Sequence, residues 1–180
     1  MTVWRSRGLR GSDLEDLIHE TIEYYRQQGL ARIDKIATPI KVVDIDGQGT
    51  ITKAFFEKKS TVDFMGIIQG VGVAFDAKET NLKSLPLSNI HEHQLEFMED
   101  ISKQSGLAFL IVHFKFCDEF YLLPYETLMQ YVRASEKGAR KSIPYSGMDP
   151  NLKIEMIRGN ILNFLPALNV YLNYRKNKSI

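Results

Sequence analysis

Two acids and a lysine define the chemistry that this chain could perform. Asp63 lies in Thr61-Val62-Asp63-Phe64, and thirteen residues later comes Asp76-Ala77-Lys78. Both acids fall in an expected hairpin, with strands from Val62 to Ile68 and from Val71 to Lys78 around Gln69-Gly70. Carboxylates at adjacent strand positions repel unless something positive stands between them, and a hard divalent cation is the natural neutraliser. Mg2+ takes oxygen ligands, keeps several waters and is commonly held by one or two carboxylates plus substrate phosphate. Lys78, two residues beyond Asp76, projects from the same strand face, within reach of a phosphate or an attacking water. The set fits hydrolysis of a phosphodiester. The alternative without chemistry is an exposed Asp76–Lys78 ion pair, worth about 0.2–1 kcal/mol.

Other residues join or stand apart from this set. Thr61 places a hydroxyl beside Asp63, either for a phosphate oxygen or as a strand former. Gln94 shares a helical stripe with His91, Leu95, Met98 and Ile101, so it faces inward or toward the strands, there to serve the site or to bond a nearby backbone group. Glu15 completes an S-x-x-E capping box with Ser12, which accounts for it without function. His91 and His93 flank Glu92, and an i, i+2 pair on a helix points in different directions, which argues against a metal clamp. No G-x-x-x-x-G-K-[ST] loop is present, which excludes a P-loop ATPase. Cys117 has no evident base beside it.

The elements that must position these residues follow from periodicity and turn signals. Ser12 caps a first helix, with Leu14, Leu17, Ile18, Ile22 and Tyr25 at helical spacing, that Gly29 stops. A long hairpin is predicted from Ile33 to Ile45 and from Thr50 to Phe56, around Asp46-Gly47-Gln48-Gly49, with a distal half that projects from the body. In the strand from Val71, the residues Val71, Val73, Phe75 and Ala77 face the core, while Gly72, Ala74, Asp76 and Lys78 form a polar face with room for a ligand. Ser88 caps a helix to about Gln104. Leu107 to Phe114 is a central strand, and Phe120 to Leu123 pairs beside it before Pro124. A short helix from Glu126 and a C-terminal helix from about Leu152 complete an α/β order, a mixed central sheet flanked by helices.

Composition narrows the classes. The 180 residues suit one domain, 1–180, and 44% hydrophobic with 25% charged residues exclude a disordered or fibrous chain. A lone cysteine excludes an intramolecular disulfide and a multi-cysteine zinc site, and points to a reducing compartment. No apolar run approaches the ~18 residues of a membrane span, and Trp4-Arg5-Ser6-Arg7 lacks the apolar core of a signal peptide, so a cytoplasmic protein without membrane attachment is expected. A net charge of +1 excludes a uniformly basic nucleic-acid coat and leaves local clusters: Arg5, Arg7 and Arg10; Lys53, Lys58 and Lys59; Arg133, Lys137, Arg140 and Lys141; Arg175, Lys176 and Lys178.

Taken in order, Ser6-Arg7-Gly8 with Leu14-Glu15, Thr38-Pro39-Ile40, Ser60-Thr61-Val62-Asp63-Phe64-Met65-Gly66, Phe75-Asp76-Ala77-Lys78-Glu79-Thr80 and His91-Glu92-His93-Gln94 form an ordered series. Leu122-Leu123-Pro124 and Ile143-Pro144-Tyr145 extend it over nearly the whole chain. The series resembles the RecU family of Holliday junction resolvases. The resemblance implies a restriction-endonuclease-like PD-(D/E)xK core with a protruding hairpin, residues 38–57, as a stalk. It implies a homodimer that uses Mg2+, with Mn2+ as a substitute, to make paired symmetric nicks in four-way DNA junctions during recombination and repair. Carried over by position, Thr61, Asp63, Asp76, Lys78 and Gln94 are the catalytic set, Asp63 and Asp76 the metal ligands, and Glu15 a supporting residue. Arg7, Arg10, Lys53, Lys58 and Lys59 are the implied DNA contacts, and RecA recombinase and a branch-migration helicase the implied protein partners. Asp76 stands where the family more often carries glutamate, and the hairpin tip is short and acidic. The rival readings are a nuclease for another branched or damaged DNA, and a noncatalytic junction-binding or recombinase-regulating protein.

Overall fold

The computed structural model describes residues 12–56 and 61–178. Leu14, Ile18, Ile22 and Tyr25 bury one stripe of α1 (Ser12–Gln27), and Gly29, at φ 67°, turns the chain out of the helix. The following elements are β1 (Ala31–Lys35), β2 (Ile40–Ile45), β3 (Ile51–Phe56), β4 (Phe64–Ile68), β5 (Val71–Thr80), β6 (Ser84–Pro86) and α2 (Glu92–Lys103). Then come β7 (Leu107–Phe114), β8 (Glu119–Pro124), α3 (Tyr125–Glu136), β9 (Ser142–Pro144), β10 (Lys153–Ile157), β11 (Ile161–Asn163) and α4 (Leu165–Lys178). Seven strands make one mixed sheet in the order β1-β4-β5-β7-β8-β10-β11, with β5 and β7 parallel and the other neighbours antiparallel. The expected mixed sheet flanked by helices is present. One face packs against α1 and α4, the other against α2, α3 and the β6–β9 pair.

Four element assignments are corrected. The segment from Ile33 to Ile45 is not one strand: β1 joins β4 in the main sheet, while β2 leaves it to pair with β3 as a separate ribbon. Thr38-Pro39 sits at the break, where proline offers no N–H to continue a ladder. The ribbon's strand residues are all exposed. Its acidic tip has a local reason, since Asp46 Oδ1 accepts from the main-chain N–H groups of Gln48 and Thr50, each at 2.9 Å.

The C-terminal helix does not begin near Leu152. Residues from Lys153 form the β10–β11 hairpin around Arg158-Gly159, at φ 53° and 80°, and α4 starts at Leu165. At the other two sites β4 starts at Phe64, not Val62, and α2 is capped by His91, with a 3-10 turn at Leu87–Asn89 where the helix was expected to open.

The strand carrying Asp76 is buried on both faces from Val73 to Asp76. Ala74, expected on an open polar face, is covered by α2 and its neighbours, because β5 lies third in a sheet with helices on both sides. On the opposite face Phe64 stacks on Phe75 (centroids 5.0 Å apart) and Phe75 on Phe109 (4.8 Å), a column of buried rings crossing β4, β5 and β7. Each ring contributes about 1.5–3 kcal/mol by burial, and together they fix the register: a slip by one residue would drive Asp76 into the phenylalanine layer.

Gly66 lets β1 approach β4. A Cβ there would stand 2.1 Å from the Arg32 carbonyl oxygen and 2.5 Å from Ile33 Cα, both backbone atoms that cannot swing aside. Gly66→Ala should therefore lower the unfolding free energy by on the order of 3 kcal/mol, read as a fall in the urea midpoint; an unchanged midpoint would mean the two strands part without cost.

Candidate active site

Asp76 is the centre of the polar cluster and has no exposed surface. The register Phe64↔Phe75 sets Asp63, the residue before β4, beside Asp76. The main-chain N–H of Asp63 donates to Asp76 Oδ1 at 3.0 Å, and the N–H of Ala77 donates to Asp63 Oδ2 at 3.2 Å, so the two acids are cross-tied through backbone. Asp76 Oδ2 accepts from Gln94 Nε2 at 2.7 Å and is ion-paired with Lys78 Nζ. Gln94 reaches the site because it opens α2: its Oε1 accepts from the main-chain N–H of His91 at 3.0 Å, capping the helix, while its Nε2 is left for Asp76. Gln94 thus bonds a nearby backbone group and also reaches the carboxylates.

Charge explains the rest of the arrangement. Burial, together with the Asp76 carboxylate alongside, pushes the Asp63 carboxyl up to about 7, against the opposing pull of the Ala77 N–H and Lys78. Two carboxylates this close do not both ionise comfortably on Lys78 alone, and a hard divalent cation would relieve them. The donor set fits such an ion. Among the described residues no three His, Cys, Asp or Glu side chains come together as a metal cluster, so the remaining ligands would be water, backbone or substrate oxygens, as suits Mg2+.

The other predicted residues are distributed unevenly. Thr61 is half-buried in the bend two residues before Asp63. Glu15 is ion-paired with Lys35 at the end of β1, and Lys35 also feels the field of Asp63, so Glu15 stands at the flank of the cluster. Lys53 lies on the exposed ribbon, over the Phe55 ring at 5.7 Å and opposite Asp44, apart from the carboxylates. Arg7, Arg10, Lys58 and Lys59 lie outside the described residues. Glu79, next to Lys78, points to the other sheet face and pairs with Lys115 and His113.

Two features escaped the sequence. Lys35 becomes a neighbour of the site only through the β1–β4 pairing, for which nothing local gives a signal. His91 and His93, expected to diverge, stack with centroids 5.4 Å apart and planes 11° from parallel. Helical i, i+2 geometry does not apply to them, because His91 precedes the helix with extended backbone (φ −91°, ψ 149°).

Comparison with known proteins places the chain among relatives. The family model for recombination protein U (RecU) matches residues 9–170. The Holliday junction resolvase RecU of Lactococcus lactis subsp. lactis is 43% identical over 154 residues, 82% of this chain and 71% of the relative. That of Pediococcus pentosaceus is 42% identical over 144 residues, 77% and 72% of the two chains, and that of Oceanobacillus iheyensis 40% over 141 residues, 76% and 72%. The solved structure of Archaeoglobus fulgidus Hjc, a Holliday junction resolvase, overlaps with a TM-score of 0.41 at 12% identity, covering 66% of this chain and 75% of that one, too loose a likeness for residue correspondences.

The raised Asp63 carboxyl makes a stability prediction. Its folded value of about 7 exceeds the ordinary 3.8, so between these pH values the native state binds more protons than the unfolded chain, and stability falls as pH rises through that window. With chelator present, the melting temperature should decline from about pH 4 to pH 7 by a component that Asp63→Asn removes, the amide oxygen still accepting from Ala77. Parallel pH profiles for the two proteins would show that Asp63 ionises freely.

Proposed function

This chain belongs to the recombination protein U family, and on that premise we propose that it is a Holliday junction resolvase, a divalent-metal-dependent endodeoxyribonuclease that makes paired symmetric nicks in four-way DNA during recombination and repair. The observation that supports this most is the convergence of Asp63, Lys78 and Gln94 on the fully buried carboxylate of Asp76. A static buried ion pair gains little stability over apolar packing, so such a cluster inside a well-packed sheet is better explained by chemistry than by folding.

In this reading Asp63 and Asp76 hold Mg2+, or Mn2+ in its place. When bound there, the ion supplies a water of lowered pKa and positive charge for the leaving oxygen. Gln94 Nε2 fixes the orientation of the Asp76 carboxylate, and its own orientation is fixed by the His91 N–H. Lys78, its side chain only 15% exposed, holds its Nζ to the carboxylates and whatever phosphate approaches them; a donor so held stabilises charge developing on a non-bridging oxygen without reorganising. Thr61 contributes a hydroxyl at the rim. Glu15 and Lys35 set the charge on its flank.

The homodimer belongs to the same proposal. The β2–β3 ribbon exposes Ile40, Val43, Ile45, Ile51, Phe55 and Phe56, and an isolated two-stranded ribbon is marginal in water, so a second copy that covers it and places two active sites on a four-way substrate suits both facts. Lys53, with Arg7, Arg10, Lys58 and Lys59, would contact phosphates of the junction arms. No helix among the described residues is long and apolar enough to cross a membrane. A cytoplasmic location and contacts with RecA and a branch-migration helicase complete the proposal.

Two outcomes test it. Wild-type protein should nick an end-labelled mobile four-way junction in Mg2+ or Mn2+ and leave linear duplex of the same sequence intact, and Asp63→Ala should lower the nicking rate by at least about a hundredfold with junction binding kept. Binding without any cleavage would favour the noncatalytic rival, and cutting of linear duplex a nuclease of another specificity. In sedimentation the wild type should run as a dimer of the 20.7 kDa chain, and Val43→Glu with Phe55→Glu should give monomer; a monomeric wild type would refute the dimer.

A further inference from the structure

We propose that His91 is a substrate-positioning residue that donates a hydrogen bond to a backbone phosphate next to the one being cleaved, its ring held for that purpose by His93. The inference rests on the reading of the chain as a DNA-cleaving enzyme and adds to it a contact outside the carboxylate, lysine and glutamine set.

Place and shape both argue for it. A single side-chain amide, that of Gln94, links the His91 main-chain nitrogen (3.0 Å) to the Asp76 carboxylate (2.7 Å), so the cap of α2 stands at the lip of the carboxylate cluster. The His91 side chain is exposed there and contributes nothing to the core. In the capping box that opens α2 the Gln94 side chain accepts from the His91 main-chain N–H and the His91 ring faces the Gln94 main-chain N–H, a task for one ring nitrogen that leaves the other for a partner outside the helix. Yet the ring is not left to wander: it lies parallel to that of His93, 5.4 Å between centroids, and this stacking limits its rotamers. A neutral imidazole always carries one N–H donor and a protonated one carries two, so either form can bond an anionic oxygen. The pair also sits at the amino end of the twelve-residue α2, where backbone N–H groups and the helix dipole favour an anion. Glu92, between the two histidines in the first turn, is the one acid in that turn, and it faces the same dipole.

The ligand is therefore a phosphate of the cleaved strand. Lys78 and the carboxylates address the scissile phosphate, and a donor one side-chain amide further out addresses its neighbour. Such a contact fixes the strand's register in the site, and its loss would be felt in the cleavage step more than in overall junction affinity, to which many phosphates contribute.

The test couples the side chain to one phosphate. Four-way junctions are made with a single neutral methylphosphonate at each phosphate flanking the cleavage position in turn, and cleaved in Mg2+ under single-turnover conditions by wild type, His91→Ala and His91→Gln. At one flanking position the neutral linkage should slow wild type about tenfold. His91→Ala should be slowed about tenfold on the unmodified junction and show no further loss at that position, while His91→Gln, which keeps a donor, should recover part of the rate. A cooperative urea transition will show that the variants fold. The inference is overturned if the losses multiply at every position, or if no flanking methylphosphonate slows wild type. A wild type that cuts no junction in either metal would overturn the nuclease reading itself, and this inference with it.

Discussion

A carboxylate with no solvent contact is the constraint on which this molecule is organised. Asp76 is ionisable, buried in the middle of the sheet, and stable there only because three elements answer it: the chain entering β4 gives an N–H, α2 gives the Gln94 amide, and β5 itself gives Lys78. Burying the pair is no bargain in stability, whereas removing one partner would leave an uncompensated charge at a cost of about 3–5 kcal/mol. The cluster therefore dictates where its neighbours lie while adding little to the fold, the pattern expected where local rules of folding yield to chemistry.

What holds the cluster is apolar and lies on the other side of the sheet. Of the stacked rings Phe64, Phe75 and Phe109, the first two are each one residue removed from an acid: Phe64 from Asp63, Phe75 from Asp76. Strand alternation turns that adjacency into opposition, so the rings that fix the register on one face fix the carboxylates on the other. Gly66 adds to this by admitting β1, whose neighbour Ile36 donates its N–H to the Asp63 carbonyl oxygen at 2.8 Å. Asp63 is thereby restrained from both adjoining strands.

The legible part of the molecule was the part governed by local pattern. Alternation in β5 and the turn at Gln69-Gly70 were enough to set Asp63 beside Asp76 and Lys78 on the face of Asp76, and the ordered motifs brought in Gln94. Pairing across long separations was not legible. Nothing between Ile33 and Ile45 signals that β1 will join β4 while β2 departs, and that choice alone brings Lys35 to the site. Likewise the apolar residues after Leu152 fit a helix as well as a hairpin until β8 offers β10 an edge. The burial of Asp76 was hidden for a related reason: Gly72 and Ala74 read as an open polar face, and while Gly72 stays exposed, the seating of α2 over β5 closes that face from Ala74 onward. The stacking of His91 on His93 depended on where α2 is capped, at a residue three later than the serine that resembled its cap.

The ribbon and the cluster are stabilised in opposite ways. Around Asp76 a few strong interactions are isolated from water and backed by packed rings. In β2 and β3 no residue is buried, and order comes from local devices: the Asp46 carboxylate closing the tip, Lys53 facing Asp44, and Lys53 over Phe55. Exposed contacts of this kind are worth tenths of a kcal/mol to about one each. They suffice to define a turn and a register, but not to offset the cost of ordering twelve strand residues. The ribbon therefore sits at the low end of the molecule's range of local stability, and its apolar side chains gain their full effect only when another surface covers them. A fold that packs closely around one charged cluster and leaves an apolar ribbon exposed thus stabilises its two regions by different means.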